Sequence, residues 1–299
     1  MAARRSTKLD KQLITHHQKD ITMNEKNYDY LKNSVKFTGF GEELSKELYA
    51  KMSTGEKDFS LIHNAKFGND ATTTVLYFKK SNETDNYFFN SFDISLKKQN
   101  EEAINQTFYM GKENNVTLKE AYNLLSGRAI HKELNKLEKQ GERWVATDEK
   151  YNAWVQLDFK QTDKNGNYAT KQFHDGYKFD LEKAVAKHPI KELENIDSKS
   201  NLLRSLERGN VQSVTFVIDG QEQKRFIEAN PQFWKVNVYD HNMQRLDVKQ
   251  TARESQTQAQ SQAQSDGVTK ATNKQAAETE DSPQQQAAKP RKKRSQKVS

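Results

Sequence analysis

The chain has no cysteine. That removes disulfides, thiolate metal sites and thiol nucleophiles together, and it fits a reducing compartment. No run approaches the roughly 18 consecutive apolar residues of a membrane-spanning helix. The first residues, Met1 to Lys19, are polar and lack the apolar stretch of a signal peptide. The expected location is therefore the cytoplasm, with no membrane partner. Apolar residues make up only 33% of the chain against 30% charged, a lean supply for a core.

Catalytic signatures are missing as well. There is no Gly-x-Ser-x-Gly elbow, no Walker loop and no dinucleotide fingerprint. Gly39-Phe40-Gly41 lacks a preceding strand and a third glycine, so it reads as a break between two helices. The seven histidines (His16, His17, His63, His131, His174, His188 and His241) are scattered, without the His-x-x-x-His spacing of a zinc site. His174-Asp175 reads as a turn, and Asp158 and Glu228 as carboxylates on a solvated sheet face. The expectation is a protein that is not an enzyme and takes no metal or cofactor.

What the chain does hold is aromatic area: fifteen Phe, eleven Tyr and three Trp, gathered in its middle. Each such ring buries about 150–250 Å², enough to build a core there. Charge is distributed the other way. Residues 1–22 hold five bases and two acids, and residues 250–299 nine and five; the totals of 48 and 41 leave 34 of each between them. The net charge of +7 thus belongs to the ends, and any attraction to phosphate that comes from net charge belongs there too.

The ends read as disordered. Gln250 to Ala288 is Gln, Ala, Ser and Thr without an aromatic residue, too poor in apolar surface to offset its ordering entropy. Residues 1–22 also lack a pattern, and Met23 looks like an alternative start. Between them the spacing predicts an α+β fold made of degenerate repeats, each a helix followed by antiparallel strands. One helix covers Glu42–Ser53, with Leu44, Leu48 and Met52 on one face and Gly55 as its stop. A second begins at Thr117, which forms a capping box with Glu120, and ends at Gly127. Asp180 caps a short third helix closed by Pro189. A fourth carries Leu202, Leu203 and Leu206 and ends at Gly209. Predicted strands cover 59–67, 72–79 and 87–97 after Gly55. After Gly127 they cover 128–134, then, beyond a polar insertion, 151–160 and 168–173 about the hairpin signal Asn165-Gly166. After Gly209 they cover 211–218, 223–228 and 234–240. The division expected is residues 23–115 for the first unit and 116–249 for the second and third, flanked by 1–22 and 250–299.

Several stretches carry a resemblance. Phe37-Thr38-Gly39-Phe40-Gly41, Thr117-Leu118-Lys119-Glu120-Ala121, Leu125-Ser126-Gly127-Arg128-Ala129, Tyr151 to Phe159, Lys187 to Leu193 and Glu228 to Phe233 look like a family of uncharacterised proteins. That family, a set of domain-of-unknown-function groups, is found in Bacteroidetes on conjugative transposons and related mobile elements. The similarity spans roughly residues 24–245. It implies a genomic setting rather than a reaction.

Two features point to nucleic acid. Lys289, Arg291, Lys292, Lys293, Arg294 and Lys297 form a basic end on a Gln-rich tether, able to neutralise several phosphates without reading sequence. In the strands, Trp154 alternates away from Val155, Leu157 and Phe159, and Phe233 away from Trp234, Val236 and Val238. If the latter sets face the core, Trp154 and Phe233 are exposed platforms for base stacking. If both faces of the sheets are covered they are core, which is the ordinary expectation. The functional expectation is an accessory protein that binds nucleic acid, a protein partner or both. The alternative is a protein-interaction module of conjugation or of defence and counter-defence that binds no nucleic acid.

Overall fold

The computed structural model describes residues 23–246, so the predicted basic end and the first 22 residues lie outside the described residues. Among the described residues the chain forms five α-helices and ten strands: α1 (Glu25–Val35), α2 (Ser45–Thr54), β1 (Asp58–Phe67), β2 (Asp70–Lys80), β3 (Tyr87–Lys97), β4 (Ile104–Tyr109), α3 (Leu118–Leu125), β5 (Ile130–Gln140), β6 (Arg143–Thr162), β7 (Tyr168–His174), α4 (Leu181–Val185), α5 (Ile196–Glu207), β8 (Gln212–Ile218), β9 (Gln221–Asn230) and β10 (Lys235–Tyr239). The strands make three antiparallel sheets, ordered β1-β2-β3-β4, β5-β6-β7 and β10-β9-β8. The fold is α+β, and each sheet follows a helix in the chain.

The helix-to-sheet junctions share one device. Gly55, Gly127 and Gly209 follow α2, α3 and α5 with φ of 74°, 81° and 77°. A left-handed residue there lets the last helical carbonyls be satisfied while the chain swings into a strand, and glycine adopts it without steric cost. Gly39, at φ 100°, makes the corresponding break after α1, where one wide helical turn, Lys36–Phe40, joins α1 to the bend before α2. Thr117 and Glu120 close the expected capping box at the start of α3. Asp219-Gly220 forms a two-residue hairpin with φ positive at both positions. Asn165-Gly166 differs from the two-residue reading: it sits in a loop of residues 163–167 whose backbone amides at Asn165 and Asn167 are gathered by the Asp163 carboxylate at 2.8 and 2.9 Å.

Two clusters of buried side chains form the core. The first lies between α1, α2, α3 and the inner face of the four-stranded sheet. Phe59, Phe78 and Phe89 stack in sequence at 4.9 and 5.0 Å, and Phe40 meets Phe92 edge-on at 5.3 Å. Each such pair adds roughly 0.5–1.5 kcal/mol beyond burial itself. The second cluster joins α4, α5 and the β8–β10 sheet. The β5–β7 sheet divides itself between them. Ile130, Val155 and Leu157 belong to the first cluster, whereas Trp154, with Ala129 just before β5, belongs to the second.

Two edges are covered. Thr107 of β4 donates its backbone N–H to Asn167 at 2.8 Å, so the β6–β7 loop lies against the four-stranded sheet. Along β8, Glu192 accepts the Thr215 N–H through both carboxylate oxygens at 3.0 Å, and Pro189 accepts from Val217 at 2.9 Å. Pairing offered by the chain's own loops withdraws these edges from other chains.

One predicted feature is corrected. The polar insertion between 134 and 151 is not a loop. β5 and β6 continue through it as a paired arm whose register runs to Gln140↔Arg143. Its side chains from Glu138 to Gln140 and at Val145 are exposed. The alternation of polar and apolar residues that marks a half-buried strand has no reason to appear where neither face is buried. In addition, β4 completes the first unit without a strong signal, and α1 is the first of the two helices that Gly39-Phe40-Gly41 was read as separating.

Candidate nucleic-acid interface

Trp154 cannot serve as a platform. It is 6% exposed, packs edge-on against Phe179 at 5.3 Å and lies in the second core. Its neighbours Val155 and Leu157 are buried on the opposite face, so the β5–β7 sheet is covered on both sides at this point. Phe233, by contrast, is 59% exposed. Its geometry is not the expected alternation. Phe233 closes a 3-10 turn, Pro231–Phe233, and Trp234 follows in a left-handed conformation at φ 49°, before β10 begins at Lys235. Trp234 therefore leaves the core side occupied by Val236 and Val238 and is half exposed.

A bulky residue in the left-handed region costs about 1–2 kcal/mol, so its surroundings must hold it there. The surroundings are a second 3-10 turn, Asp175–Tyr177, after which Lys178 is likewise left-handed at φ 58°. The two turns clasp each other. The indole Nε1–H of Trp234 donates to the Tyr177 carbonyl at 2.8 Å, and the Tyr177 hydroxyl donates to the Gln232 carbonyl at 2.9 Å. Between these bonds the two rings stack, 4.6 Å apart and only 5° from parallel. Phe173 extends the aromatic surface, 4.9 Å from Tyr177. One face of the indole is taken by Tyr177, and Trp234 as a whole remains half exposed. Lys235 reaches within 6.0 Å of the Phe233 ring, and Lys178 is exposed on the partner turn. Asp175 is the acid on these turns.

This surface is preorganised. Tyr177 and Trp234 are fixed by two hydrogen bonds and their own stacking, so a planar ligand meeting the indole would order little that is not already ordered. Cations beside exposed rings are the usual composition of a groove that tracks a single strand. Trp234 and Tyr177 escaped sequence reasoning because alternation from Val236 and Val238 was carried one residue too far. Pro231 was the available signal, since proline favours the first position of such a turn and delays the strand.

The other candidates are engaged structurally. His174 and Asp175 form a turn, with His174 Nδ1 accepting from the Gly176 N–H at 3.2 Å. Asp158 accepts from the Lys160 N–H and pairs with Lys171 at 3.1 Å; these contacts hold its carboxyl below its usual range. Glu228 accepts from Tyr239 and Asn237 at 2.6 and 2.7 Å. Burial, and then that carboxylate, push the Tyr239 hydroxyl far up, keeping it protonated as the donor. Among the described residues no three His, Asp or Glu side chains converge as a metal ion would require, and no helix is long and apolar enough to cross a membrane. Comparison of the chain with protein-family models, with curated proteins and with solved structures finds no match.

Proposed function

We propose that this chain is a cytoplasmic accessory protein that binds single-stranded nucleic acid, using Trp234 as a stacking platform and the basic end as sequence-independent grip. The observation that carries the reading is the clasped Tyr177–Trp234 pair: a strained, half-exposed indole locked by hydrogen bonds in a position that contributes nothing to the core. Exposed Phe233 with Lys235 beside it supplies a second ring and a cation for the adjoining nucleotide. The mobile-element setting that the sequence resemblance implies is part of the same proposal.

The test is titration of the full chain with a dT oligonucleotide, followed by fluorescence anisotropy of the labelled strand. A stacked base contributes about 1–3 kcal/mol, so Trp234→Ala should weaken binding by roughly tenfold. Removing residues 288–299 should reduce the salt dependence. Binding that is absent at low salt, or unchanged in Trp234→Ala, would overturn the reading.

The protein-interaction alternative has its own observation. A groove of about 600 Å³ between α1 and β3 is lined by Tyr30, Phe37 and Phe88, which are 64%, 76% and 53% exposed. Exposed rings lining a concavity are a common composition for binding another protein.

A further inference from the structure

A concentration of uncompensated charge lies elsewhere, where the first and third units meet over α3. The β1–β2 turn, the first turns of α3 and the link from α5 to β8 border an open cleft of about 670 Å³. Its walls carry three cationic side chains, Lys66, Lys119 and Arg128, and no carboxylate. Among the described residues none of the three takes part in an ion pair.

The two cations beside Tyr122 are held in place. Phe67 and Tyr122 stack at 4.3 Å, and the Lys119 ammonium sits 4.6 Å from the centre of each ring. The Arg128 guanidinium lies 5.0 Å from the Tyr122 ring, and one of its terminal nitrogens donates to Asn123 Oδ1 at 2.7 Å. Asn123 is fully buried and is itself fixed, donating to the Arg208 carbonyl at 2.7 Å and to Asn210 Oδ1 at 2.9 Å. Asp70 accepts the Tyr122 hydroxyl at 3.0 Å and lines no part of the cleft.

Two observations mark this arrangement as incomplete. The Arg128 Nε is buried and has no hydrogen-bond partner, which for a guanidinium costs the full desolvation of that N–H. Lys119 also lies close enough to Arg128 for its own charge to be disfavoured. Burial first, and Arg128 second, lower the Lys119 pKa, and no acid acts in the opposite direction. Repulsion of this kind within a fixed cleft is relieved by an anion, and a planar guanidinium beside an ammonium suits a tetrahedral oxyanion.

We infer that the cleft formed by Lys66, Lys119 and Arg128 is a binding site for a phosphate group. The inference does not rest on stacking at Trp234, because the phosphate can be that of a mononucleotide as well as that of a strand. Arg128 brings a guanidinium to the wall, Lys119 gives a point charge beside the Phe67–Tyr122 pair, and Lys66 closes the β1–β2 side.

The experiment is an amide-resolved NMR titration of the full chain at low salt with three probes: inorganic phosphate, AMP, and a dT oligonucleotide with or without a 5′-phosphate. Saturable shifts confined to residues 66–68, 119–128 and 210–212 are expected with at least one probe. Shifts with AMP but not with the oligonucleotide assign a mononucleotide site, and the reverse assigns a strand; both support the inference. Lys119→Gln keeps the buried face and cap of α3, so it should move the thermal unfolding midpoint only slightly, and it should weaken the responding probe by roughly tenfold, the scale of one charge-assisted hydrogen bond. Trp234→Ala should leave these shifts intact even if it abolishes stacking, so the two readings fail separately. No shift at these amides below about 10 mM of any probe, or equal affinity in Lys119→Gln, would overturn the inference.

Discussion

Gly209 approaches Ala129 so closely that a Cβ on the glycine would lie 2.8 Å from the Ala129 carbonyl oxygen and 2.9 Å from Cγ2 of Ile130. The first of these obstacles is backbone, which cannot swing aside. Gly209 also has φ of 77°, where an L side chain is strained. Gly209→Ala should therefore destabilise the protein by about 2–4 kcal/mol, combining backbone strain with overpacking. Gly220→Ala is the control: its φ is 76° but nothing lies within 4 Å of the added carbon, so its cost should stay near about 1 kcal/mol. Urea melts of the two variants measure the difference.

Trp154 and Phe233 should separate cleanly. Trp154→Ala empties a site in the second core and should cost about 3–5 kcal/mol of stability. Phe233→Ala removes an exposed ring and should change stability by less than about 0.5 kcal/mol, with its effect appearing in strand binding instead. Thermal denaturation and anisotropy on the same two variants give both readouts.

Glu120 has two tasks, so its loss should exceed the loss of either partner. It accepts the Thr117 N–H at 2.9 Å within the capping box and pairs with Lys132 at 3.3 Å, where the side chains are only 9% and 14% exposed. Thr117→Ala should cost about 1 kcal/mol, as for other N-caps. Glu120→Ala also leaves the Lys132 ammonium without its carboxylate and should cost about 3 kcal/mol. Chemical denaturation of the pair tests the order.

Stability should fall on mild acidification. Burial lowers the pKa of His188, with Lys187 adding to the effect, and burial lowers that of His63 against a smaller opposing influence of Glu43. Both folded values thus lie below the ordinary histidine range near 6.5, so the unfolded chain binds more protons in that window. The stabilisation is complete above the unfolded pKa and is lost as pH falls through the folded ones. Unfolding midpoints should drop between about pH 7 and pH 5. His188→Asn should flatten part of that slope.

Local chemistry was readable wherever it alone decides the backbone. Thr117-x-x-Glu120, the glycines at 55, 127 and 209 and the Asp219-Gly220 turn all stand where their residue types place them. The failures fall where tertiary context decides. Trp154 and Val155 are both buried because the two faces of one sheet serve two different cores, which alternation in a single strand cannot reveal. The β5–β6 arm was hidden because an unburied hairpin needs no apolar period. Trp234 was turned outward by a bend that only the Tyr177 turn makes affordable. The phosphate cleft could not be foreseen at all, since Lys66, Lys119 and Arg128 converge from separate elements and no one of them is unusual in its own stretch of sequence.

The sheet of β5, β6 and β7 has a consequence for how the molecule comes apart. Because Ile130 and Val155 are floor to one cluster while Ala129 and Trp154 are ceiling to the other, neither half can lose its packing without baring a surface of its neighbour. The helical and aromatic signals should accordingly vanish together in urea, as one sigmoid, despite two separate greasy centres.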